Sequence, residues 1–326
     1  MITWRKVGCC LVAVAGFVFA AVADGGPIYR VAQVAAGAAD GSSWEDAMSL
    51  DNGIAAVAAG GELWLKSGTY ALAANVPTLT ASGEVVVRGG FAGTETDVAE
   101  RPKDGQSTLD GQDLYTTFTV VCTKPVTIER LVLTRSIMHG VKKTGSSNIT
   151  ISQCDFTHNG RINYTEGVSG RCGNFSGGGA VTISDCRAYA NWGETYMNYI
   201  GTSGFWFSQT TKSTIERTTF ERNGYFGVGR WNSCGIIYCV QTPLVMSGCL
   251  VRGNRVTTDN GSGLIYLYQS GTGSVIKNCL FIGNEHLGAG TGVVYANYAW
   301  GLPIPCPLRT APLPTISVVP AMVRRH

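Results

Sequence analysis

One short phrase, repeated five times between Ile149 and Glu285, constrains the fold more than any other feature of the chain. It consists of an apolar residue, two residues, Cys or Thr, one residue, a small or apolar residue, two residues, and Asn. The copies are Ile151/Cys154/Phe156/Asn159, Ile183/Cys186/Ala188/Asn191, Ile215/Thr218/Phe220/Asn223, Met246/Cys249/Val251/Asn254 and Ile276/Cys279/Phe281/Asn284. From one Asn to the next the steps are 32, 32, 31 and 30 residues. A weaker copy, Ile128/Leu131/Leu133/Ser136, lies upstream. A glycine followed by apolar and aromatic residues runs in step with the phrase, at Gly140, Gly173, Gly204, Gly235, Gly263 and Gly292. Every period therefore holds at least two extended segments joined by turns.

Periods of this size mark solenoids or propellers. A propeller blade needs four antiparallel strands in about 40–45 residues, and a helical repeat needs long runs of good helix formers at the 3.6 period. These periods are too short for the first and too rich in Gly, Ser, Thr and Asn for the second. Parallel strands stacked coil upon coil satisfy the spacing, with equivalent side chains about 4.8 Å apart in ladders. The expected class is all-β, a right-handed parallel β-helix of roughly eight or nine coils by that spacing. Ile151, Cys154, Phe156 and their equivalents should point inward. The Asn residues are expected to take the left-handed turn conformation and to bond to one another from coil to coil.

The first coil of such a solenoid would leave an open apolar edge. A short helix from Ser49 to Ala59, capped by Ser49 or Asp51 and stopped by Gly60-Gly61, is expected to cover it. Short strands should follow at Glu62–Lys66, Glu84–Arg88, Thr116–Val121 and Thr127–Leu133.

The segments Thr150-Ile151-Ser152-Gln153-Cys154 to Asn159 and Val181-Thr182-Ile183-Ser184-Asp185-Cys186 to Asn191 resemble the repeats of right-handed β-helix surface proteins of bacteria. That group includes the polymorphic outer-membrane-protein type and shares its fold with pectate lyases. The N-terminal part is similar to the opening of such proteins in Gly41-Ser42-Ser43-Trp44, Ala55 to Gly61, Gly68-Thr69-Tyr70 and Gly89-Gly90-Phe91-Ala92-Gly93-Thr94-Glu95-Thr96. The resemblance spans residues 28 to 298 and implies the fold; it implies little about function, since this fold carries adhesins, lyases, hydrolases and inert scaffolds.

Residues 1–23 read as a signal peptide: Arg5 and Lys6, an apolar run from Val7 to Val22, and Ala21-Val22-Ala23 before Asp24. The run is shorter than a membrane span needs, which favours cleavage over an uncleaved anchor. An exported, secreted or cell-surface protein is expected. Residues 24–80 then form the N-terminal cap and first coil, and 81–300 the β-helix. Residues 301–326 form a Pro-rich tail without the repeat, holding six of the eleven prolines. It cannot form another coil, because proline removes ladder donors, and it reads either as a linker or as a frameshifted or truncated end.

Lys and Arg outnumber Asp and Glu by only 25 to 22, so no nucleic-acid partner is expected. Nine of the eleven cysteines lie outside the leader. Disulfides are not expected along the ladder, where Cβ atoms would stay about 4.8 Å apart and a disulfide needs about 3.8 Å. Cys172 and Cys234 are expected at equivalent places two coils apart.

No acidic, basic or metal-ligand cluster stands out. Between 105 and 300 the only aspartates are Asp110, Asp113, Asp155, Asp185 and Asp259, with no adjacent pair. No cofactor and no metal are expected. The richest patch lies on the longer turns between Asn and the next Gly: Tyr164 and Glu166 with Arg171, then Trp192, Glu194, Tyr196 and Tyr199, then Tyr225, Arg230 and Trp231. Flat aromatic faces beside carboxylates and guanidinium groups suit an extracellular or cell-wall polysaccharide; the competing reading has these rings folding back to seal the coil. A second column, Phe207, Tyr238, Tyr266 and Tyr295, should face outward while Trp206, Ile237, Ile265 and Val294 fill the core.

Two functions stay open. One is a non-catalytic, monomeric β-helix presenting a binding face, with Tyr164, Glu166, Trp192, Glu194, Tyr196, Tyr225, Arg230 and Trp231 as contacts. The other is a polysaccharide lyase or glycoside hydrolase. Convergence of Glu166, Glu194 and Glu221 with Arg222 or Arg230 would favour the enzyme.

Overall fold

The computed structural model describes residues 26–160, 171–196, 201–228, 234–258, 263–270, 273–288 and 292–297. Residues 1–23, expected as a signal peptide, the Pro-rich tail and the candidate residues Tyr164, Glu166, Tyr199, Arg230 and Trp231 lie outside them.

The chain winds as a parallel β-helix with four sheets. Sheet A has nine strands, among them Val126–Glu129, Ile149–Ser152, Ala180–Ser184 and Lys212–Glu216. Sheet B has eight, among them Leu131–Thr134, Asp155–Thr157, Arg187–Tyr189, Thr219–Glu221 and Leu250–Arg252. Sheet C has seven, including Gly173–Ser176, Gly201–Ser208, Cys234–Val240 and Gly263–Tyr268. Sheet D has four: Trp192–Tyr196, Gly224–Val228, Arg255–Thr258 and Glu285–Gly288. Stretches expected as long turns are thus largely a fourth sheet lying against sheet C.

Register follows the repeat. Ile128, Ile151, Ile183, Ile215, Met246 and Ile276 form one column, and Leu133, Phe156, Ala188, Phe220, Val251 and Phe281 another. These columns are buried, except on the outermost coil, where Ile276, Cys279 and Phe281 are packed from one side and only partly covered. Phe205 reaches across from sheet C over the small Ala188, meeting Phe156 and Phe220 edge-on at 5.2 and 5.8 Å. A larger residue at 188 would displace that ring.

The corners share one device. Between sheets A and B a residue turns left-handed: Arg130, Gln153, Asp185, Arg217 and Asn278 have φ of 46–55°, and Gly248 has 62°. After sheet B the left-handed residue is Arg135, His158, Ala190, Arg222, Gly253 or Gly283, so the turn conformation falls on the residue before the Asn rather than on the Asn itself. The amide then supplies the bonds. Asn159 Nδ2 donates to Asn191 Oδ1 at 3.0 Å, and the chain continues through Asn223, Asn254 and Asn284 at 2.9, 2.9 and 2.8 Å. Each Oδ1 also accepts the backbone N–H of the Asn on the preceding coil, so no buried polar group at this corner is orphaned.

A third corner, after sheet C, repeats the arrangement with Gln209, Gln241 and Gln269 left-handed: the Thr242 hydroxyl accepts from the Thr210 N–H, and the Ser270 hydroxyl from the Thr242 N–H. The dipeptides Gln209-Thr210, Gln241-Thr242 and Gln269-Ser270 carry this ladder in the sequence, where it is easily overlooked.

The N-terminal helix runs Leu50–Ala56 with Ser49 as its cap, continues as a 3₁₀ turn Val57–Ala59 and stops at Gly60, φ 110°. It packs so closely that a Cβ on Gly53 would lie 2.6 Å from Val31. The expected strand Thr127–Leu133 is two strands broken at left-handed Arg130, and Thr116–Val121 shortens to Thr119–Val120.

Two expected columns are corrected. Strand Gly201–Ser208 carries an extra residue between Thr202 and Phe205. That bulge shifts the alternation by one, so Trp206, not Phe207, joins Tyr238 and Tyr266, with rings 4.3 and 4.8 Å apart, and both tyrosines are buried where exposure was expected. Phe207 lies in the core beside Phe175 and Cys239. Cys234 pairs with Gly201, outside the column of Cys172, whose thiol approaches Ser203. Among the described residues Cys122, Cys154, Cys172, Cys186, Cys239, Cys249 and Cys279 are free thiols.

Candidate functional site

Sheet D begins one residue after the Asn corner, and its outward positions form a platform. Trp192 pairs in register with Gly224, then Arg255, then Glu285; Glu194 pairs with Phe226, then Thr257, then Leu287. Gly224 matters here. Its missing side chain lets the Trp192 ring lie over the backbone, where a Cβ would come within 2.1 Å of the indole. The indole is parallel to Phe226, with 5° between planes and 5.8 Å between centroids. Arg255 caps the stack, its guanidinium carbon 6.0 Å from the Phe226 centroid, and pairs with Glu285 at 3.6 Å. Trp192 and Phe226 are half-buried, so ring surface remains open to a ligand.

Tyr225 is not part of this platform. It alternates to the opposite face of the strand, where it and Val256 are fully buried. Glu194 and Tyr196 lie on the platform strand by register.

Across the corner, sheet B continues the surface with charge. Tyr189, Glu221 and Arg252 stack in one column, two residues before the Asn of their coils. Glu221 meets Arg252 at 3.0 Å, Arg187 at 3.3 Å and Arg222 at 4.0 Å. The Arg252 hydrogen bond, with help from Arg187, holds its carboxyl below the usual range against the pull of desolvation. Arg187 lies over the Tyr189 ring at 4.3 Å, Arg222 donates to the Tyr189 hydroxyl at 3.3 Å, and His158 touches the ring edge-on. Burial pushes the Asp155 carboxyl up, on the coil beneath Arg187. Asp185 and Glu216 both pair with Arg217 nearby.

Glu221 therefore serves as the centre of an arginine cluster, an ionised carboxylate poorly suited to donate a proton to a leaving group. No group of three or more His, Cys, Asp or Glu side chains among the described residues could hold a metal ion. Phe226, Arg255, Arg187, Tyr189 and Arg252 were not singled out from the sequence. The signal was their offset from the repeating Asn: Arg187 lies four before it, Tyr189 and Arg252 two before it, Arg255 one after it and Phe226 three after it.

No curated protein matches the sequence. Among solved structures the chain is similar to the pectate lyase Pel9A, at 16% identity over 84% of this chain and 79% of that one, TM-score 0.47. It is also similar to ORF18 of Geobacillus virus E2, at 12% identity over 76% and 57% of the two chains, TM-score 0.29. A pectate lyase from Xanthomonas campestris shares 11% identity over 84% and 80%, TM-score 0.22. The model of the right-handed β-helix region matches residues 116–281, about half of the 326 residues and most of the regular ladder, and the chain belongs to that family.

Proposed function

We propose that this protein is an exported, non-catalytic β-helix that presents a glycan-binding face on the outside of sheet D. The observation that carries the reading is the half-buried Trp192, laid flat by Gly224 and parallel to Phe226. Sugar rings present apolar faces that stack on aromatic rings and hydroxyl edges that bond to groups such as Arg255 and Glu285. The platform sits on a rigid strand fixed from below by the Asn ladder, which preorganises it. Glu221, locked among arginines, is a poor acid, and this supports binding over hydrolysis. The N-terminal leader supports export to the surface or medium.

The test is a glycan array run beside a polysaccharide-depolymerisation screen with and without Ca²⁺. Glycan binding that is lost in Trp192→Ala supports the proposal. Depolymerisation above background would overturn the non-catalytic reading, and a blank array would overturn the binding one.

A further inference from the structure

The arginine cluster at the Asn corner has more positive charge than it uses internally. Glu221 is the carboxylate at its centre, and three guanidinium groups surround it. Arg187 has a second acidic neighbour, Asp155 on the coil beneath. Among the described residues the unmatched charge thus falls on Arg222, with Arg252, the closest partner of Glu221, beside it; their side chains are 68% and 51% exposed. At 4.0 Å Arg222 is beyond hydrogen-bond distance of Glu221, and Tyr189 takes one of its five N–H donors. The guanidinium forks suit a planar carboxylate or a tetrahedral sulfate, and the left-handed backbone of Arg222 fixes where its side chain leaves the corner.

This charge adjoins the platform. Phe226 lies four positions after Arg222, and Arg255 three after Arg252, so at about 3.3 Å per residue the two surfaces lie within about 13 Å of each other along the chain. One extended ligand can lie on the rings and reach the arginines.

We infer that Arg222 and Arg252 receive an anionic substituent of the bound glycan, so that the preferred ligand is an acidic polysaccharide carrying carboxylate or sulfate groups. The inference rests on the glycan-binding reading above and adds the ligand's charge. Trp192 and Phe226 supply stacking to any sugar, and the arginines choose the charged one. Electrostatic selection of this kind weakens with salt, whereas stacking does not.

The experiment uses three polymers of one backbone: hydroxyethyl cellulose, carboxymethyl cellulose and cellulose sulfate, each titrated against the full chain at low and high NaCl. The expected result is at least tenfold tighter binding of one or both anionic polymers than of the neutral one at low salt, narrowing at high salt. The two anionic arms distinguish carboxylate from sulfate. The double variant Arg222→Gln/Arg252→Gln should lose the preference and keep neutral binding. Arg217→Gln, an exposed arginine already matched by Asp185 and Glu216, should keep it. Trp192→Ala should weaken all three polymers alike.

Equal binding of neutral and anionic polymers by the unaltered chain overturns the inference and leaves the glycan-binding reading standing. An equal loss in Arg217→Gln also overturns it, because the preference would then belong to diffuse surface charge. Absence of binding to every polymer, with a blank array, overturns both.

Discussion

The Asn corner and the sheet D platform are adjacent on every coil, yet they use their side chains in opposite ways. At the corner, Asn159, Asn191, Asn223 and Asn254 spend every polar atom on one another and on the backbone, and all are fully buried. One residue later, Trp192 and Arg255 leave ring surface and donors open. The corner is repetitive because a stacked ladder works only if each coil offers the same group to the next. The platform varies from coil to coil, Trp, Gly, Arg, Glu, because nothing stacks on it through hydrogen bonds. In a solenoid, then, repetition marks the structural surface and its interruption marks the recognition surface.

The largest expected effect breaks the corner. Asn191→Leu removes a side chain that accepts two bonds from Asn159 and donates to Phe156 and Asn223, and leaves the Asn159 N–H and one Asn159 Nδ2 hydrogen buried without an acceptor. At roughly 1–3 kcal/mol for each orphaned group, the loss should be about 3–5 kcal/mol, read from denaturant unfolding. A loss below about 1 kcal/mol would mean that the coils are held by apolar packing alone.

Lys143 tests the inside of the coil with a charge. It is fully buried in sheet C, with Gly178 O as the acceptor of its ammonium, and burial pushes its pKa down to about 8. Since that lies below the unfolded value of about 10.4, the unfolded chain binds more protons between the two, and stability should rise with pH across that window. Lys143→Met should stabilise the protein at pH 7 by about 1–3 kcal/mol, with the advantage shrinking toward pH 10. Thermal unfolding of both chains from pH 7 to 10 reads this, and a pH-independent gap would place the ammonium in water.

Glu129 shows that an outer face can also be tightly determined. It bonds Arg88 at 2.8 Å and Arg101 at 2.6 Å, and although burial pushes its pKa up, the two arginines hold it below the ordinary carboxyl value. Its contribution is therefore complete above the unfolded value and lost as pH falls through the lower folded one. Glu129→Gln should cost roughly 1–2 kcal/mol at pH 7 and progressively less as pH falls below the ordinary carboxyl range, measured as the difference in Tm at each pH.

The smallest effect on stability is expected where the effect on binding is greatest. Trp192→Ala should change stability by less than about 1 kcal/mol, because the ring lies on the outer face and is only half-buried. Its glycan affinity should fall at least tenfold in the same preparation. A large loss of stability would reassign the indole to sealing the coil.

The sequence was most informative where one coil's residue meets its own equivalent. The step of 30 to 32 residues, the Ile and Phe columns, the free cysteines, the Asn ladder and the N-terminal helix could all be read, because stacking copies each choice into the next period. The Thr210/Thr242/Ser270 ladder was written just as plainly but in short dipeptides that do not stand out by composition. What stayed hidden depended on a single residue more or less. The bulge between Thr202 and Phe205 exchanged the roles of Trp206 and Phe207, and the register of successive coils placed Cys234 outside the column of Cys172.

The candidate site divides in the same way. Trp192 could be named from its residue type and its place after the Asn, but the opposite fate of Tyr225 was decided by strand alternation in a sheet that the sequence suggested only as a turn. The sequence by itself determined the inward columns and the corner ladders, since both follow from a period and from the chemistry of the repeated residue. Only the tertiary structure decided which aromatic rings face out, that Gly224 makes room for the Trp192 indole, and that Arg187, Arg222 and Arg252 gather round Glu221. Those contacts join residues about one coil apart through side-chain direction, and direction is set by the parity of each strand, which a one-residue bulge reverses.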